Sequence, residues 1–222
     1  MKNFTAVIPV RKGSRRLPNK NILEFGESNL LIHKIRQLKE LSNLDDIIVS
    51  TDSEEMIEMA KQEGVSFQKR PAEYCDEKSK SFNQVVEYIS SNIDTENLLW
   101  ANCVCPLVEK STFEKAIKIF KNLDSNYDSV VSSLLLKEYV FDETNKPINF
   151  SVEQHVSSQN LPNWHLIVNG FFIAKAKDMA KWKFVYGKKP YLIELSKLEA
   201  IDIDDNQDFV LAQQIYNITK KD

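Results

Sequence analysis

Within these 222 residues, no stretch has the pattern typical of segments that direct proteins out of the cell or into a membrane. The start does not combine basic residues, a long apolar run and a small-residue cleavage site, and no window of about 18 residues is apolar throughout. We therefore expect a cytoplasmic protein that does not contact a membrane.

Cysteine is scarce, and neither sign of charge is in large excess. The three cysteines are an odd number, and the C-x-C pair Cys103 and Cys105 has no second Cys or His cluster nearby, so neither disulfides nor metal binding by these cysteines is expected. We interpret this pair and Cys75 as reduced, buried side chains. The formal net charge of -3 argues against general binding to nucleic acid, so any anion site must be local.

Two common phosphate-binding motifs are absent, the G-x-x-x-x-G-K-[ST] loop and the G-x-G-x-x-G turn. Instead, an apolar run at residues 4–10 leads directly into a basic loop around Gly13 and Ser14. Glycine can expose backbone N–H groups to an oxyanion and the cations supply charge, so this loop predicts a polyphosphate site. A solvated basic loop is the alternative, and two of the five cations, Arg15 and Arg16, stay unassigned. The cations are Arg11, Lys12, Arg15, Arg16 and Lys20.

Apolar runs typical of buried strands alternate with amphipathic segments at helical spacing along most of the chain. This alternation predicts an α/β fold with three layers, in which helices cover both faces of a mostly parallel, Rossmann-like sheet. We expect one domain over 1–222, with a hairpin-like insertion or protruding subdomain at about 137–163. In such sheets ligands bind beyond the carboxyl ends of the strands, which is where the basic loop leaves the first strand.

The predicted strands and helices can be read off the sequence with their bounds. The strands are 4–10, 45–51, 65–70, 97–103, 128–135, 164–174 and 191–195. The helices are 29–41, 52–64 with Asp52 as N-cap, 81–92, 112–123 opened by Ser111, 175–182 and 206–219.

Two carboxylates precede the last helix. Asp202 and Asp204 are two residues apart, so they lie on the same side of an extended segment. Carboxylates that face one way can hold a hard cation, and the phosphates of a nucleotide would complete the shell of Mg²⁺. Capping of the last helix by Asp204 or Asp205 is the alternative. The same alternative applies to Asp52, whose part in function is left open.

The segment "IPVRKGSRRLPNKNI" resembles the nucleotide-binding signature R-x-G-S-x-x-x-P-x-K-N of the acylneuraminate cytidylyltransferases. These are CMP-sialic acid and related CMP-nonulosonate synthetases, and the CMP-Kdo synthetases are relatives. Further segments follow that family in order along nearly the whole chain, among them "KRPAEYCDE", "CPLVEKSTFEKAI", "QNLPNWHLIVNGFFIA" and "AIDIDDNQDFVLAQ". The resemblance implies a nucleotidyltransferase sheet of GT-A-like type, a homodimer, and a dimerisation role for the insertion.

The reaction implied by the resemblance is attack of an acceptor hydroxyl on the α-phosphorus of CTP, with release of pyrophosphate. The product would be a CMP-activated acidic sugar for surface glycans such as capsule or lipopolysaccharide. Lys20 and Arg11 are the candidates for catalysis, with Lys20 and Mg²⁺ stabilising the transition state. The candidates for CTP binding are Arg11, Gly13, Ser14, Lys20, Asn21, Arg70, Ser81 and Asn102; those for the acceptor are Gln159, His165 and Asn169; those for Mg²⁺ are Asp202 and Asp204.

Departures from the family pattern fall on the acceptor side. Where the family has L-Q-P-T-S-P-L-R, this chain has "WANCVCPLV", and residues 156–158 replace paired arginines of the family. Because a site that pairs a carboxylate needs cations, the acceptor stays open between a sialic acid-like sugar, a Kdo-like sugar and a phosphorylated or phosphonate compound. A non-catalytic nucleotide-binding protein is the alternative from another class.

Overall fold

A computed structural model describes residues 2–14 and 16–219. Strands and helices alternate along the chain at nearly the predicted places. The strands are β1 (Lys2–Pro9), β2 (Glu24–Phe25), β3 (Ser28–Asn29), β4 (Asp46–Thr51), β5 (Ser66–Lys69), β6 (Thr95–Ala101), β7 (Ser129–Leu136), β8 (Trp164–Lys175) and β9 (Pro190–Glu194). The helices are α1 (Leu30–Lys39), α2 (Glu54–Gln62), α3 (Phe82–Ser91), α4 (Lys110–Lys121), α5 (Ala176–Trp182) and α6 (Asn206–Thr219).

The central sheet has the strand order β5-β4-β1-β6-β8-β7-β9. Neighbours from β5 to β6 are parallel, and β9 is parallel to β7. Only β8 runs against both of its neighbours, because the chain turns back through the insertion after β7. From β1 the chain moves to β4 and β5 on one side, whereas β6 lies on the other side. The predicted mostly parallel α/β sheet is confirmed, and this reversal beside β1 is where ligands bind in such folds.

Helices cover both faces of the sheet, as the three-layer prediction requires. α1, α2, α4 and α6 pack on one face in a core that includes Ile35 and Phe113. α3 and α5 pack on the other face, around Ile89 and Met179. The side chains of β1 contribute to both cores in alternation, which explains why its sequence is apolar without a polar face.

The predicted N-cap of α2 is wrong by one residue. The Ser53 hydroxyl, not the Asp52 carboxylate, accepts the helical N–H of Met56, at 3.4 Å. Asp52 instead accepts the backbone N–H of Lys12 at 2.9 Å, across 40 residues of sequence. Its carboxylate therefore holds the basic loop against the end of β4.

The predicted start of α4 is also wrong. The helix begins at Lys110, so Ser111 lies inside its first turn. A buried carboxylate from a distant part of the chain fixes this start: Glu199 accepts hydrogen bonds from the Glu109 N–H at 3.2 Å and the Thr112 hydroxyl at 2.6 Å. At α6 the predicted cap is confirmed, since the Asp205 carboxylate accepts the N–H groups of the second and third helical residues.

A short hairpin, β2–β3, was not predicted. Its turn contains Gly26 with φ +59°, and a Cβ atom there would lie 2.5 Å from the ring of Tyr216 on α6. Glycine is required both by the backbone conformation and by this close approach. The hairpin thus anchors the last helix, which directly follows Asp202 and Asp204.

Residues 137–163 form an irregular segment between β7 and β8. Its hairpin-like part is an isolated antiparallel bridge between Phe141 and Pro147. The rings of Tyr139 and Phe141 pack edge-on against Phe150, with centroids 5.0 and 5.1 Å apart, while both remain 40% or more exposed. A dimerisation role for this segment stays a prediction. Within residues 2–14 and 16–219, no helix has the length and apolar character that a bilayer span requires.

Candidate active site

Parallel strands β1, β4, β5 and β6 end at the same edge of the sheet, and a cleft of about 680 Å³ opens there. A smaller hollow of about 370 Å³ shares Arg11, Arg16 and Lys20 with the cleft and is also lined by Ser14 and Asn21. The two cavities bring most of the candidate residues together. Those that line the larger cleft are Arg11, Lys20, Arg70, Ser81, Asn102, Asn169, Asp202 and Asp204.

The basic loop supplies the cations at one end of the cleft. The Arg11 guanidinium donates to the Cys75 carbonyl at 2.9 Å and pairs with the Glu77 carboxylate. Lys20 lies deeper, with 13% of its side chain exposed, and its Nζ donates to the Ile203 carbonyl at 2.7 Å. Both cations are therefore held in place at a site where an anionic ligand can reach them.

The backbone of the loop needs residues that tolerate positive φ. Gly13 has φ +77°, and a Cβ atom there would meet nothing within 4 Å, so the requirement is conformational rather than steric. Asn19 also adopts the left-handed conformation, with φ 55°. The Asn21 amide donates to the Arg11 carbonyl at 3.2 Å, closing the loop on itself. Gly13 and Asn21 thus shape the loop that presents Arg11 and Lys20.

Arg70 follows β5 and lies almost fully buried below the cleft. Its Nη2 donates to the Val10 carbonyl at 2.8 Å and its Nε to Cys75 Sγ at 2.9 Å. Burial raises the pKa of the Cys75 thiol, although Arg70 acts in the opposite direction, so the thiol is neutral near pH 7. Arg70 thereby ties the segment after β5 to the end of β1.

Ser81 combines a structural role with its position in the cleft. Its hydroxyl accepts the Gln84 N–H at 3.4 Å, and the Gln84 side chain accepts the Ser81 N–H at 3.0 Å, which is a complete capping box for α3. The exposed start of this helix therefore faces the cleft with a fixed geometry.

The antiparallel strand β8 brings Asn169 beside the end of β6. The Asn102 amide donates to the Asn169 carbonyl at 2.9 Å, and the Asn102 backbone N–H donates to the Gly170 carbonyl at 3.2 Å. The Asn169 amide in turn donates to Asp202 Oδ2 at 2.8 Å. This chain of bonds orients the Asp202 carboxylate toward the cleft.

Asp202 and Asp204 have the donor atoms that a hard cation requires. Asp202 Oδ1 is buried and accepts no hydrogen bond from any residue in the described part of the chain. Burial raises the pKa of this carboxyl, and the neighbouring Asp204 adds to the increase, whereas the bond from Asn169 lowers it. A buried carboxylate oxygen without a partner fits a Mg²⁺ ligand.

Asp204 is partly exposed and paired with cations. Its oxygens lie 2.8 Å from Arg16 Nη1 and 3.6 Å from Lys20 Nζ. The described residues contain no group of three or more His, Cys, Asp and Glu side chains that could hold a metal ion. Two carboxylates therefore fit Mg²⁺ only together with oxygen ligands from a substrate.

Two acceptor candidates lie outside the cleft. His165 is exposed on β8, two residues before the cleft-lining Ile167, and its Nδ1 lies 3.4 Å from the Ser133 hydroxyl. Gln159 is exposed in a 3₁₀ turn at Ser158–Asn160 and lines neither cavity. Of the two unassigned arginines, Arg16 pairs with Asp204 as described, and Arg15 lies outside the described residues.

Sequence reasoning identified two parts of the site only incompletely. It interprets Asp52 mainly as a helix cap and does not identify Glu77, because no local pattern connects either residue to the basic loop. The second part is an aromatic wall: the sequence favours core packing for the aromatic run near 171–184 and leaves open that one ring lines the acceptor site. The wall consists of Phe82, Trp100, Phe172, Phe184 and Tyr186.

The free cysteines are buried, as predicted. Burial raises the pKa of Cys103 to about 12, and it raises the pKa of Cys105 further. Neither thiol forms a thiolate near neutral pH, so neither supplies a nucleophile to the cleft.

Comparisons with proteins of known sequence identify relatives along the whole chain. An N-acylneuraminate cytidylyltransferase of Escherichia coli is 29% identical over 216 residues, which cover 93% of this chain and 50% of that protein. A pseudaminic acid cytidylyltransferase of Campylobacter jejuni is 24% identical, with 98% and 97% covered. A CMP-N,N'-diacetyllegionaminic acid synthase of Legionella pneumophila is 29% identical, with 97% of both chains covered. The chain thus spans about half the length of the first relative and nearly all of the other two.

Solved structures support the fold. A CMP:2-keto-3-deoxy-manno-octonic acid synthetase complexed with CTP has a TM-score of 0.71 at 10% identity, with 98% of this chain and 100% of that chain covered. A 4-diphosphocytidyl-2C-methyl-D-erythritol synthase from Anaerococcus prevotii has a TM-score of 0.67 at 13% identity, with 97% and 99% covered. Residues 5–160, more than two thirds of the chain, match the family described as cytidylyltransferase. The chain belongs to the cytidylyltransferase family.

Proposed function

We propose that this protein transfers CMP from CTP to a hydroxyl of an acidic nonulosonic sugar and releases pyrophosphate. The observation that carries the proposal is the arrangement of one cleft, which Arg11 and Lys20 line together with Asp202 and Asp204, with Lys20 Nζ 3.6 Å from Asp204. Cations and a carboxylate pair at one site suit a triphosphate with its metal ion. Relatives named for acylneuraminate, pseudaminic acid and diacetyllegionaminic acid support the acceptor class.

The side chains of the cleft account for the chemistry mainly by position and charge. In the reaction an acceptor oxygen bonds to the α-phosphorus, the bond from this phosphorus to the bridging oxygen breaks, pyrophosphate departs, and the hydroxyl proton passes to water. Lys20 and Arg11 bind the phosphates and stabilise the charge that develops on the leaving group. Asp202 and Asp204 would hold Mg²⁺, which when bound neutralises phosphate charge.

The acceptor lies next to the phosphates in this proposal, between Asn169 and the aromatic wall. The amides of Asn102 and Asn169 are already held in a chain of hydrogen bonds to Asp202, so their orientation is fixed before a substrate binds. The cations that line the described cleft come only from residues 11–20 and 70–80. The acceptor carboxylate is therefore expected at the phosphate end, with the rest of the sugar against the rings.

The proposal includes a homodimer, a cytoplasmic location and a role in making surface glycans such as capsule or lipopolysaccharide. Exposed aromatic side chains on the insertion, among them Tyr139 and Phe141, support an interface between two copies. Sedimentation velocity at several concentrations tests the dimer. A chain that stays monomeric at micromolar concentration would contradict that part alone.

The activity is tested by mixing the protein with CTP and Mg²⁺ and measuring pyrophosphate release. The acceptors are N-acetylneuraminate, pseudaminate, N,N'-diacetyllegionaminate and 2-keto-3-deoxy-manno-octonate, and CMP-sugar is identified by mass spectrometry. We expect turnover with at least one of the first three acceptors and none without an acceptor.

Each alternative has its own outcome in this assay. Turnover with 2-keto-3-deoxy-manno-octonate alone would reassign the acceptor, and turnover only with phosphorylated or phosphonate compounds would do so too. CTP binding without pyrophosphate release from any acceptor would identify a non-catalytic nucleotide-binding protein.

A further inference from the structure

One phosphate-binding candidate already has an anionic partner within the chain. The Arg11 guanidinium pairs with the Glu77 carboxylate through Nη2 and donates to the Cys75 carbonyl through Nη1. The side chain of Arg11 is 28% exposed and that of Glu77 is 61% exposed. Arg11 thus bonds a carboxylate at the surface of the cleft, in reach of a dissolved ligand.

Glu77 differs from the other acidic residues of its segment, which connects β5 to α3. Asp76 accepts hydrogen bonds from the Ser79 hydroxyl at 2.7 Å and the Lys78 N–H at 3.2 Å, within its own turn. Glu73 lies 3.7 Å from Lys80. Glu77, by contrast, bonds Arg11 of the basic loop.

A phosphate group that binds Arg11 must compete with this carboxylate. Phosphate oxygens and Glu77 carry like charges, so they cannot share the guanidinium without repulsion, and an exposed ion pair is weak enough to be exchanged. When pyrophosphate leaves, Glu77 can pair with Arg11 again. The carboxylate therefore opposes phosphate binding and favours product release.

We propose that Glu77 is an affinity-determining residue of the CTP site, an internal counter-ion that occupies Arg11 until a phosphate displaces it. The proposal rests on the proposed function, because it takes Arg11 as a ligand of the triphosphate. Its role is to weaken the binding of both CTP and pyrophosphate, so that neither substrate nor product saturates the cleft at low concentration.

The test is calorimetric titration of CTP, and separately of pyrophosphate, into the protein with Mg²⁺. Glu77→Gln keeps the shape of the side chain and removes its charge. We expect dissociation constants about two- to fivefold lower for both ligands, the range that an exposed ion pair accounts for. Glu87→Gln is the matched control, since it removes one negative charge from the neighbouring helix α3, where Glu87 pairs with Lys183, a cation that lines neither cavity.

A double-mutant cycle identifies the partner. In an Arg11→Gln background the Glu77→Gln substitution should tighten binding less than it does in the native chain, because the competition for the Arg11 guanidinium is gone. Unchanged or weaker binding in Glu77→Gln alone overturns the proposal, as does equal tightening in Glu87→Gln or tightening of the same size without Arg11.

The same titrations separate this proposal from the proposed function. If the unsubstituted protein binds pyrophosphate but not CTP, the proposed function is wrong, and the pyrophosphate series still decides the role of Glu77. Binding of neither ligand overturns both.

Discussion

Among single residues, Lys20 has the least exposed side chain of the three basic-loop cations that line the cleft. Its Nζ donates to the Ile203 carbonyl and lies 3.6 Å from Asp204. Lys20→Ala should lower kcat by about 100- to 1,000-fold, as expected for loss of a preorganised charge at the transferring phosphate. Steady-state pyrophosphate release measures this effect, and circular dichroism checks that the fold is kept.

Lys12→Ala serves as the matched control for Lys20. Lys12 is exposed, lines neither cavity and contributes to the loop through its backbone N–H. Removing its charge should change kcat by less than about threefold, because exposed charges act weakly through water. Equal losses in the two variants would show that the loop acts by net charge and not through a positioned Lys20.

Asp202 is expected to act through its charge and its unpartnered oxygen. Asp202→Asn keeps the size of the side chain but removes the charge on the buried Oδ1. The Mg²⁺ concentration for half-maximal activity should rise at least about tenfold, because carboxylates are preferred ligands of this ion. Calorimetric titration of Mg²⁺ in the presence of CTP provides a readout that does not depend on turnover.

Asp205→Asn is the control for Asp202. Asp205 is exposed and caps α6, where asparagine serves equally well, so metal affinity should stay the same. Normal metal affinity in Asp202→Asn would remove Asp202 from the metal site, and a loss in both variants would point to a disturbed helix.

At the scale of elements, two adjacent residues between β4 and α2 have different roles, one in holding the basic loop and one in capping the helix. Asp52 holds the Lys12 N–H, and Ser53 caps the helix. Asp52→Ala should raise the KM for CTP by about three- to tenfold, because the basic loop loses the hydrogen bond that holds it to the end of β4, with little change in Tm. Ser53→Ala should lower the free energy of unfolding by about 1 kcal/mol and leave KM unchanged.

Kinetics with varied CTP and thermal unfolding distinguish the two variants. If Asp52→Ala lowers Tm and Ser53→Ala does not, the original interpretation of Asp52 as the cap is right after all. If neither changes KM, the loop is held by other contacts.

The misplaced caps explain which elements could be predicted from sequence. The apolar run of β1 and the capping site at Asp205 carry their information locally, and both were predicted correctly. At α2 the adjacent residues Asp52 and Ser53 are both good N-caps. Only the contact of Asp52 with Lys12, 40 residues away, shows which of them caps the helix. Glu199 fixes the start of α4 in the same way, from 90 residues away.

The residues of the cleft also fall into two groups, those that a short stretch of sequence identifies and those that only distant contacts identify. The basic loop and Asp202 were identified because their residue types recur in a short stretch, and the cleft brings them together. Glu77 could not be identified, because its pairing with Arg11 spans 66 residues and follows no spacing rule. Gln159 is predicted to bind the acceptor because the sequence around it resembles the family pattern. In the structure it lies in the turn Ser158–Asn160 of the insertion, outside the cleft.

For the whole molecule, one buried cation links stability to pH. Lys34 lies on the core side of α1 with no exposed surface. Its Nζ donates to the Gln37 side chain at 2.6 Å and the Cys105 carbonyl at 3.0 Å, and it lies 5.1 Å from the ring centroid of Phe113. Burial lowers the pKa of this amine from 10.5 to about 8. Because this value is still above 7, the amine is mostly charged in the folded protein near pH 7.

The lowered pKa determines how unfolding responds to pH. Between about pH 8 and 10.5 the unfolded chain binds a proton at Lys34 that the folded chain has released, so the contribution of Lys34 to stability rises with pH in this window. From pH 7 to 9.5 the free energy of unfolding of the native chain, relative to Lys34→Met, should rise by about 2 kcal/mol. Urea unfolding at both pH values measures the difference, and the buried thiols, present in both proteins, largely cancel.

Lys39→Met controls for general effects of pH on α1. Lys39 is exposed at the end of the same helix, where it donates to the Glu63 carbonyl at 2.9 Å. The change in the free energy of unfolding between pH 7 and 9.5, relative to the native chain, should be larger for Lys34→Met than for Lys39→Met. A flat difference for Lys34→Met would mean that the hydrogen bonds to Gln37 and Cys105 keep the amine charged inside the core, against the desolvation that burial imposes.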